Sequence, residues 1–177
     1  MIAATIHDTR VFVLRFISNL FRAMVKPIPE GLRTVTPALT VDGCAAAIEF
    51  YRKAFGAVEV SRAPDPSGKK IWHAHIRIGD SAIFLTDAFP EMGSMATTAS
   101  LWLYSDNVEA AFKRAVDAGA EVKMPLQDMF WGDRWGALVD RWGIRWNLAQ
   151  HVKDMSPEEM KRASEEAAAQ WRQGRKE

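Results

Sequence analysis

His73 and His75 alternate with apolar residues in the run IWHAHIRI. A period of two is that of a strand, so Trp72, Ala74, Ile76 and Ile78 share one face and His73, His75 and Arg77 share the other. With the apolar set packed inward, both imidazoles are presented together. Two histidines so spaced can chelate a divalent metal, with His151 as a third ligand. Either can move a proton at neutral pH, or both can line a cavity as hydrogen-bonding groups. No carboxylate stands beside them at ligand spacing, and Asp87 reaches them only if its strand end bends inward. Polar lining is the reading preferred over a relocated metal site.

The second group is Gln127–Trp135, where Phe130, Trp131 and Trp135 surround Asp133 and Arg134. These rings can close over a flat or aromatic ligand whose polar end is fixed by Asp133 and Arg134. The same residues can instead plug a cavity mouth or fill a subunit interface, with Gly132 and Gly136 permitting tight turns. Charged groups in a plug need partners of their own, which favours the ligand reading. His73 or His75 beside Asp133 would make an acid–base pair. Cys44 opens a helix whose dipole would lower its thiol pKa, although a small apolar filler among alanines is the preferred role. Ser81, Ser100 and Ser105 sit in no nucleophile-elbow context, and no glycine-rich phosphate cradle is present.

The chain that must position these groups has 177 residues, 48% of them hydrophobic and 25% charged, with a net charge of +1. That length buries a real core, and the charge balance argues against nucleic-acid binding. A single cysteine excludes an internal disulfide and fits a reducing cytoplasm. No apolar run reaches the roughly 20 residues of a membrane span. Residues 1–23 read as an extension, either a basic amphipathic helix around Arg10, Arg15 and Arg22 or an appended segment before Met24. Strands are expected at Thr34–Val41, Val58–Arg62, Ile71–Ile78 and Ala82–Asp87. Pro37 confines the first to an edge or a bulge. Asp42 is placed to cap a helix over Cys44–Phe55, stopped by Gly56.

The second half repeats this plan, with strands at Leu101–Tyr104, Glu121–Met124, Trp135–Val139 and Ile144–Val152. Asp106 caps a helix over Val108–Ala118, stopped by Gly119. Asp42 and Asp106, Ala47 and Ala111, and Ile48 and Phe112 are each 64 residues apart, so cap and apolar face recur in register. Two βαβββ modules result, about 33–90 and 99–152. They are followed by a helical tail at 153–177 that begins with a Ser156/Glu159 capping box and Pro157.

A duplicated unit carrying TVTPALTVDG, AIEFYRKAFGA, HAHIRIGDS, DMFWGDRWG and VDRWGIRWNLAQHV resembles the vicinal oxygen chelate superfamily. Within it the chain is most similar to the PhnB-like branch of the glyoxalase/bleomycin-resistance proteins. The resemblance spans 24–152 and implies an α+β fold, in which paired modules form an open, curved eight-stranded mixed sheet around a cavity. The metal-ligand positions of that family fall here on Thr36, Phe84, Ser100 and Asn147. Hydroxyls and an amide are weak ligands for a transition metal and a phenyl ring is none, so no cofactor is expected at that location. If Asn147 faces the cavity, then so do Arg145 and His151. Trp102 and Tyr104 share the Ser100 face, where Phe84 joins them.

The implied function is that of a cytoplasmic, homodimeric protein binding a small, partly aromatic organic molecule, in the manner of bleomycin-resistance proteins. Its ligand would touch Thr36, His73, His75, Phe84, Ser100, Trp102, Tyr104, Trp131, Asp133, Arg134 and Asn147. The rival readings are a lyase, isomerase or dioxygenase-like enzyme using His73 or His75, with or without a relocated divalent metal, and a protein-interaction module.

Overall fold

The computed structural model describes residues 26–173; the expectations for residues 1–23 lie outside this range. The chain divides into two units, Met1–Thr36 and Pro37–Glu177. The described part of the first, 26–36, is loop, in which the Leu32 amide donates to the Pro29 carbonyl at 3.1 Å.

The second unit contains both modules. In the first, β1 (Ala38–Val41), α1 (Cys44–Phe55), β2 (Val58–Pro64), β3 (Ile71–Ile78) and β4 (Ser81–Asp87) build a sheet in the order β1-β4-β3-β2. In the second, β5 (Ser100–Tyr104), α2 (Val108–Asp117), β6 (Glu121–Asp128), β7 (Asp133–Val139) and β8 (Arg145–His151) repeat that order as β5-β8-β7-β6. Each module pairs its first and last strands in parallel and the others antiparallel. The eight strands thus form two mixed four-stranded sheets, with no closed barrel. Helix α3 (Pro157–Gln173) follows, started by the expected reciprocal bonds between Ser156 and Glu159.

Both helices cover one face of their sheets, and those faces share a core. Leu39, Val41, Ile76, Ile83 and Leu85 meet Leu138, Trp146 and Leu148 there, all essentially buried, with Tyr51 and Ala111 from the helices. Asp140 ties the modules together. Its buried carboxylate accepts from the Tyr51 hydroxyl and Trp146 Nε1, both at 3.0 Å, and from the amides of Trp142 and Ile144. By strand alternation, the opposite face of each sheet is left outside this core.

Several expectations are corrected. Neither aspartate caps its helix. Gly43 occupies the N-cap of α1 at φ +81°, and the amides of Gly43 and Cys44 donate to Asp87 of β4, each at 2.9 Å. Asn107 caps α2 through its side chain, accepting from the Ala110 amide. Trp72 is half exposed although Ile71 and Ala74 are both buried. The β2–β3 register shifts between Ala63 and Pro64 there, and the bulge turns Trp72 out of the apolar set. β1 begins only at Ala38, after Pro37, and is an edge strand. β6 runs past Met124 to Asp128 because Pro125 falls at a register shift on an edge strand, where its missing N–H is tolerated. Cys44 is fully buried, and burial, reinforced by nearby Asp87, pushes its thiol up to about 12. Desolvation therefore outweighs the helix dipole.

Candidate ligand site

The uncovered face of the second sheet is built by register. β5, β8 and β7 bring Tyr104, Ala149 and Trp135 into one row and Trp102, Asn147 and Ala137 into the next. Ala149 is fully buried beneath its two large aromatic neighbours, whose rings form the outer surface of this face. The rings line up along this face. Trp102 stacks with Tyr104 at 6.2 Å between centroids and with Trp135 at 6.1 Å, while Trp131 meets Trp135 edge-on at 6.0 Å.

One row further on, Asp133 pairs with His151. The turn before it closes tightly, with the Met129 amide donating to the Asp133 carbonyl and the Gly132 amide to the Met129 carbonyl. Gly132 (φ +94°) faces the Lys153 carbonyl, which a Cβ would approach to 2.1 Å, so glycine is required there. This turn carries Trp131 over the sheet. Trp102, Tyr104, Trp131 and Asp133 then line a shallow, open pocket of about 400 Å³.

The Asp133 carboxylate is only 4% exposed and is fully engaged. Oδ2 accepts from the Tyr104 hydroxyl and from Trp131 Nε1, each at 3.0 Å, and Oδ1 lies 2.8 Å from His151 Nδ1. His151 Nε2 is 3.0 Å from the exposed Asp154 carboxylate. The hydrogen bond to Asp133, then that to Asp154, raises the His151 pKa above the ordinary imidazole value. Proximity to the same carboxylate raises the Tyr104 pKa, although the loss of solvation is the larger cause.

The other expected site residues separate into distinct places. His73 and His75 lie on the first sheet against the Phe84 ring, at 4.8 and 5.5 Å between centroids. His75 and Phe84 are direct cross-strand neighbours across the hairpin turned by Gly79 and Asp80. His75 Nε2 is buried without a partner among the described residues. Neither histidine stands with Asp133, whose imidazole partner is His151. Arg134 points to the helix side of β7, where it pairs with Glu109 of α2 and with Asp128 of β6 at 2.9 Å, so it does not join Asp133 in the pocket. Thr36 precedes β1, its hydroxyl donating to the Arg33 carbonyl at 3.3 Å.

The family metal positions do not suit a transition metal. Phe84 offers no donor atom. The Asn147 amide nitrogen donates to Ser100 Oγ at 2.9 Å and to the Leu101 carbonyl at 3.2 Å, so this pair is already mutually satisfied. The three-histidine set is divided between sheets, and both nitrogens of His151 face carboxylates. Among the described residues no three His, Cys, Asp or Glu side chains are grouped to hold a metal ion. Among these residues, too, no helix is long and apolar enough to cross a membrane.

Sequence reasoning had the four lining residues but missed Asp154 and the partnership of His151 with Asp133. A signal for the latter was present: Asp133 and His151 are equidistant from Trp142, so a hairpin centred there must pair them.

Residues 33–148 match the model of the Glyoxalase/Bleomycin resistance protein/Dioxygenase superfamily. A protein of uncharacterized function from Mycobacterium bovis is 42% identical over 138 residues, covering 73% of this chain and 90% of that one. Protein YjdN of Escherichia coli is 30% identical over 137 residues, covering 64% of this chain and 92% of its own. Among solved structures, TioX from Micromonospora sp. ML1 superposes with a TM-score of 0.54 at 24% identity, over 67% of this chain and 99% of TioX, which is a likeness of fold.

Proposed function

The chain belongs to the Glyoxalase/Bleomycin resistance protein/Dioxygenase superfamily, and from that premise we propose that it is a binding protein for a small, partly aromatic organic molecule, independent of the family metal. The observation that carries this reading is the pocket of about 400 Å³ formed by Trp102, Tyr104 and Trp131 around Asp133. That size suits a small ligand, and its walls offer stacking surfaces in place of a polarising centre. The DMFWGDRWG segment supplies Trp131 and Asp133, and it is also what assigns the chain to the PhnB-like branch in this proposal. A cytoplasmic homodimer is part of the same reading. Trp102 and Tyr104 are 50% and 61% exposed, an extent of uncovered aromatic surface that a second copy or a ligand would bury.

A second reading, an enzyme of the same fold, is favoured by the Asp133–His151 pair. An imidazole held between two carboxylates at a pocket edge, which raises its pKa, can act as a proton donor when protonated. In this reading the acid–base role moves from His73 and His75 to His151. The test is a thermal-shift screen of small aromatic and cationic compounds, repeated on Trp102→Ala. Hits lost in the variant support the binding reading. Hits consumed with time, in wild type but not in His151→Gln, support the enzyme. A screen without hits contradicts both.

A further inference from the structure

The polar chemistry of the pocket selects among small organic molecules. Of the three side-chain hydrogen-bond donors in its lining, the Tyr104 hydroxyl and Trp131 Nε1 both point into Asp133 Oδ2, which leaves only Trp102 Nε1, on a half-exposed ring, unpartnered among the described residues. The two bonded to Asp133 are not available to a ligand's acceptor. Trp135 Nε1 is buried and unpartnered among the described residues, and Trp135 is not part of the lining. What the lining presents is chiefly π faces and the edge of a carboxylate, with the Trp102 N–H as its one unpartnered side-chain donor among the described residues.

The surrounding charges agree in sign. Asp133 and Asp154 flank a single imidazole, so even a protonated His151 leaves this cluster with a net negative charge. Arg134, the nearest guanidinium in sequence, is turned to the other side of β7 and held there by Glu109 and Asp128. Arg145 shares the open face two residues along β8 from Asn147, the neighbour of Trp102, but six residues from His151, the partner of Asp133, about 20 Å from the carboxylate end at the rise of a strand. At physiological ionic strength that exceeds the screening length of about 8 Å.

Resting on the binding function proposed above, we infer that the ligand of the Trp102–Tyr104–Trp131–Asp133 pocket is an organic cation, carrying a substituted ammonium or comparable group on an aromatic or apolar body. Ring faces attract such a group through their quadrupoles even where solvent reaches them, and a buried carboxylate adds a long-range attraction without requiring a direct hydrogen bond. A quaternary ammonium has no N–H to donate, so the engaged state of Asp133 does not obstruct it. An anion would meet the carboxylate, and an acceptor-rich neutral molecule would find two of the three lining donors already held by Asp133.

The test compares two probes of the same shape, 3-hydroxyphenyl-trimethylammonium and 3-tert-butylphenol, titrated into the full-length protein by calorimetry at constant ionic strength. The cation is expected to bind about tenfold more tightly than its neutral isostere. Asp133→Asn should bring the two probes to within about threefold of each other. Because Asp133 is buried with three partners, this variant can lose its fold; Trp102→Leu, at a half-exposed position, keeps an apolar wall and removes one ring face. It should weaken the cation more than the isostere. Equal affinity of the two probes for the wild type overturns the cation inference and leaves the binding function standing. If neither binds at millimolar concentration the cation inference also fails, and the binding function is then judged by the compound screen alone. Tighter binding of the isostere would overturn the inference as well.

Discussion

His151 and Asp133, 18 residues apart in the chain, meet at 2.8 Å between Nδ1 and Oδ1, and the other ring nitrogen of His151 lies 3.0 Å from Asp154. Imidazolium, unlike neutral imidazole, can donate to both carboxylates at once, which raises the His151 pKa. His151 should titrate above the ordinary histidine value of roughly 6.5, and Asp133→Asn should lower its midpoint. A folded-state pKa raised in this way stabilises the protein fully below the unfolded value, and the contribution is lost as pH rises through the folded midpoint. The stability gap between wild type and His151→Gln is thus largest in mild acid and narrows toward alkaline pH. Side-chain NMR titration and urea melts at several pH values check both statements. An ordinary midpoint unaffected by Asp133→Asn would contradict them.

Gly136 lets α2 sit directly on β7. A Cβ there would come within 2.7 Å of the Phe112 ring and 3.1 Å of the Leu126 amide nitrogen and the Met124 carbonyl oxygen. Gly136→Ala is expected to cost about 1 to 3 kcal/mol by overpacking. The cost should be smaller in a Phe112→Leu background, a coupling that a double-mutant cycle in denaturant reads directly. Equal cost in both backgrounds would mean that the ring contact is not its source.

Cys44 should be chemically inert in the native protein. With its thiol pushed up to about 12 and no exposed surface, its alkylation at pH 8 should run about a thousandfold slower than in the unfolded chain. Mass-spectrometric labelling kinetics decide this. Rapid native labelling would show that the N-terminus of α1 opens far more readily than its packing implies.

Metal analysis of purified, untagged protein after dialysis against zinc, nickel and manganese should find no stoichiometric retention. Phe84 has no ligating atom, and the Asn147 amide is bonded to Ser100 and Leu101. One retained equivalent per chain would require a site around His73, His75 or His151 and would contradict the metal-independent reading.

Much of the fold was legible in the residues because it depends on local signals. Helix α1 spans the expected Cys44–Phe55, where Ala47, Ile48, Tyr51 and Phe55 fix the buried stripe and Gly56 stops it at φ +68°. The faces of β5 and β8 were equally legible, since alternation alone puts Trp102 and Tyr104 with Ser100, and Asn147 with His151. Where a bulge broke the period, as at Trp72, alternation misplaced the residue. Arg134 and Asp133 are adjacent in sequence and were read as one polar end, yet adjacency in a strand means opposite faces. The cap of α1 could not be read locally, because Asp87 arrives from β4, 44 residues from Gly43. The division of the candidate residues between two sheets likewise follows from tertiary packing, in which each helix-covered face turns to the shared core.

A small molecule bound on the second sheet would lie against Trp102 and Trp131, apart from the histidines of the first. The most direct measurement is a 1H–15N correlation titration of the tryptophan indole signals with the best compound from the thermal-shift screen, alongside the His73 and His75 ring signals. Saturable shifts are expected at the Trp102 and Trp131 indoles, with that of Trp131 abolished in Trp102→Ala, and unchanged His73 and His75 resonances. Shifts confined to His73, His75 and the neighbourhood of Phe84, with the indoles unmoved, would place the ligand on the other sheet and contradict this placement.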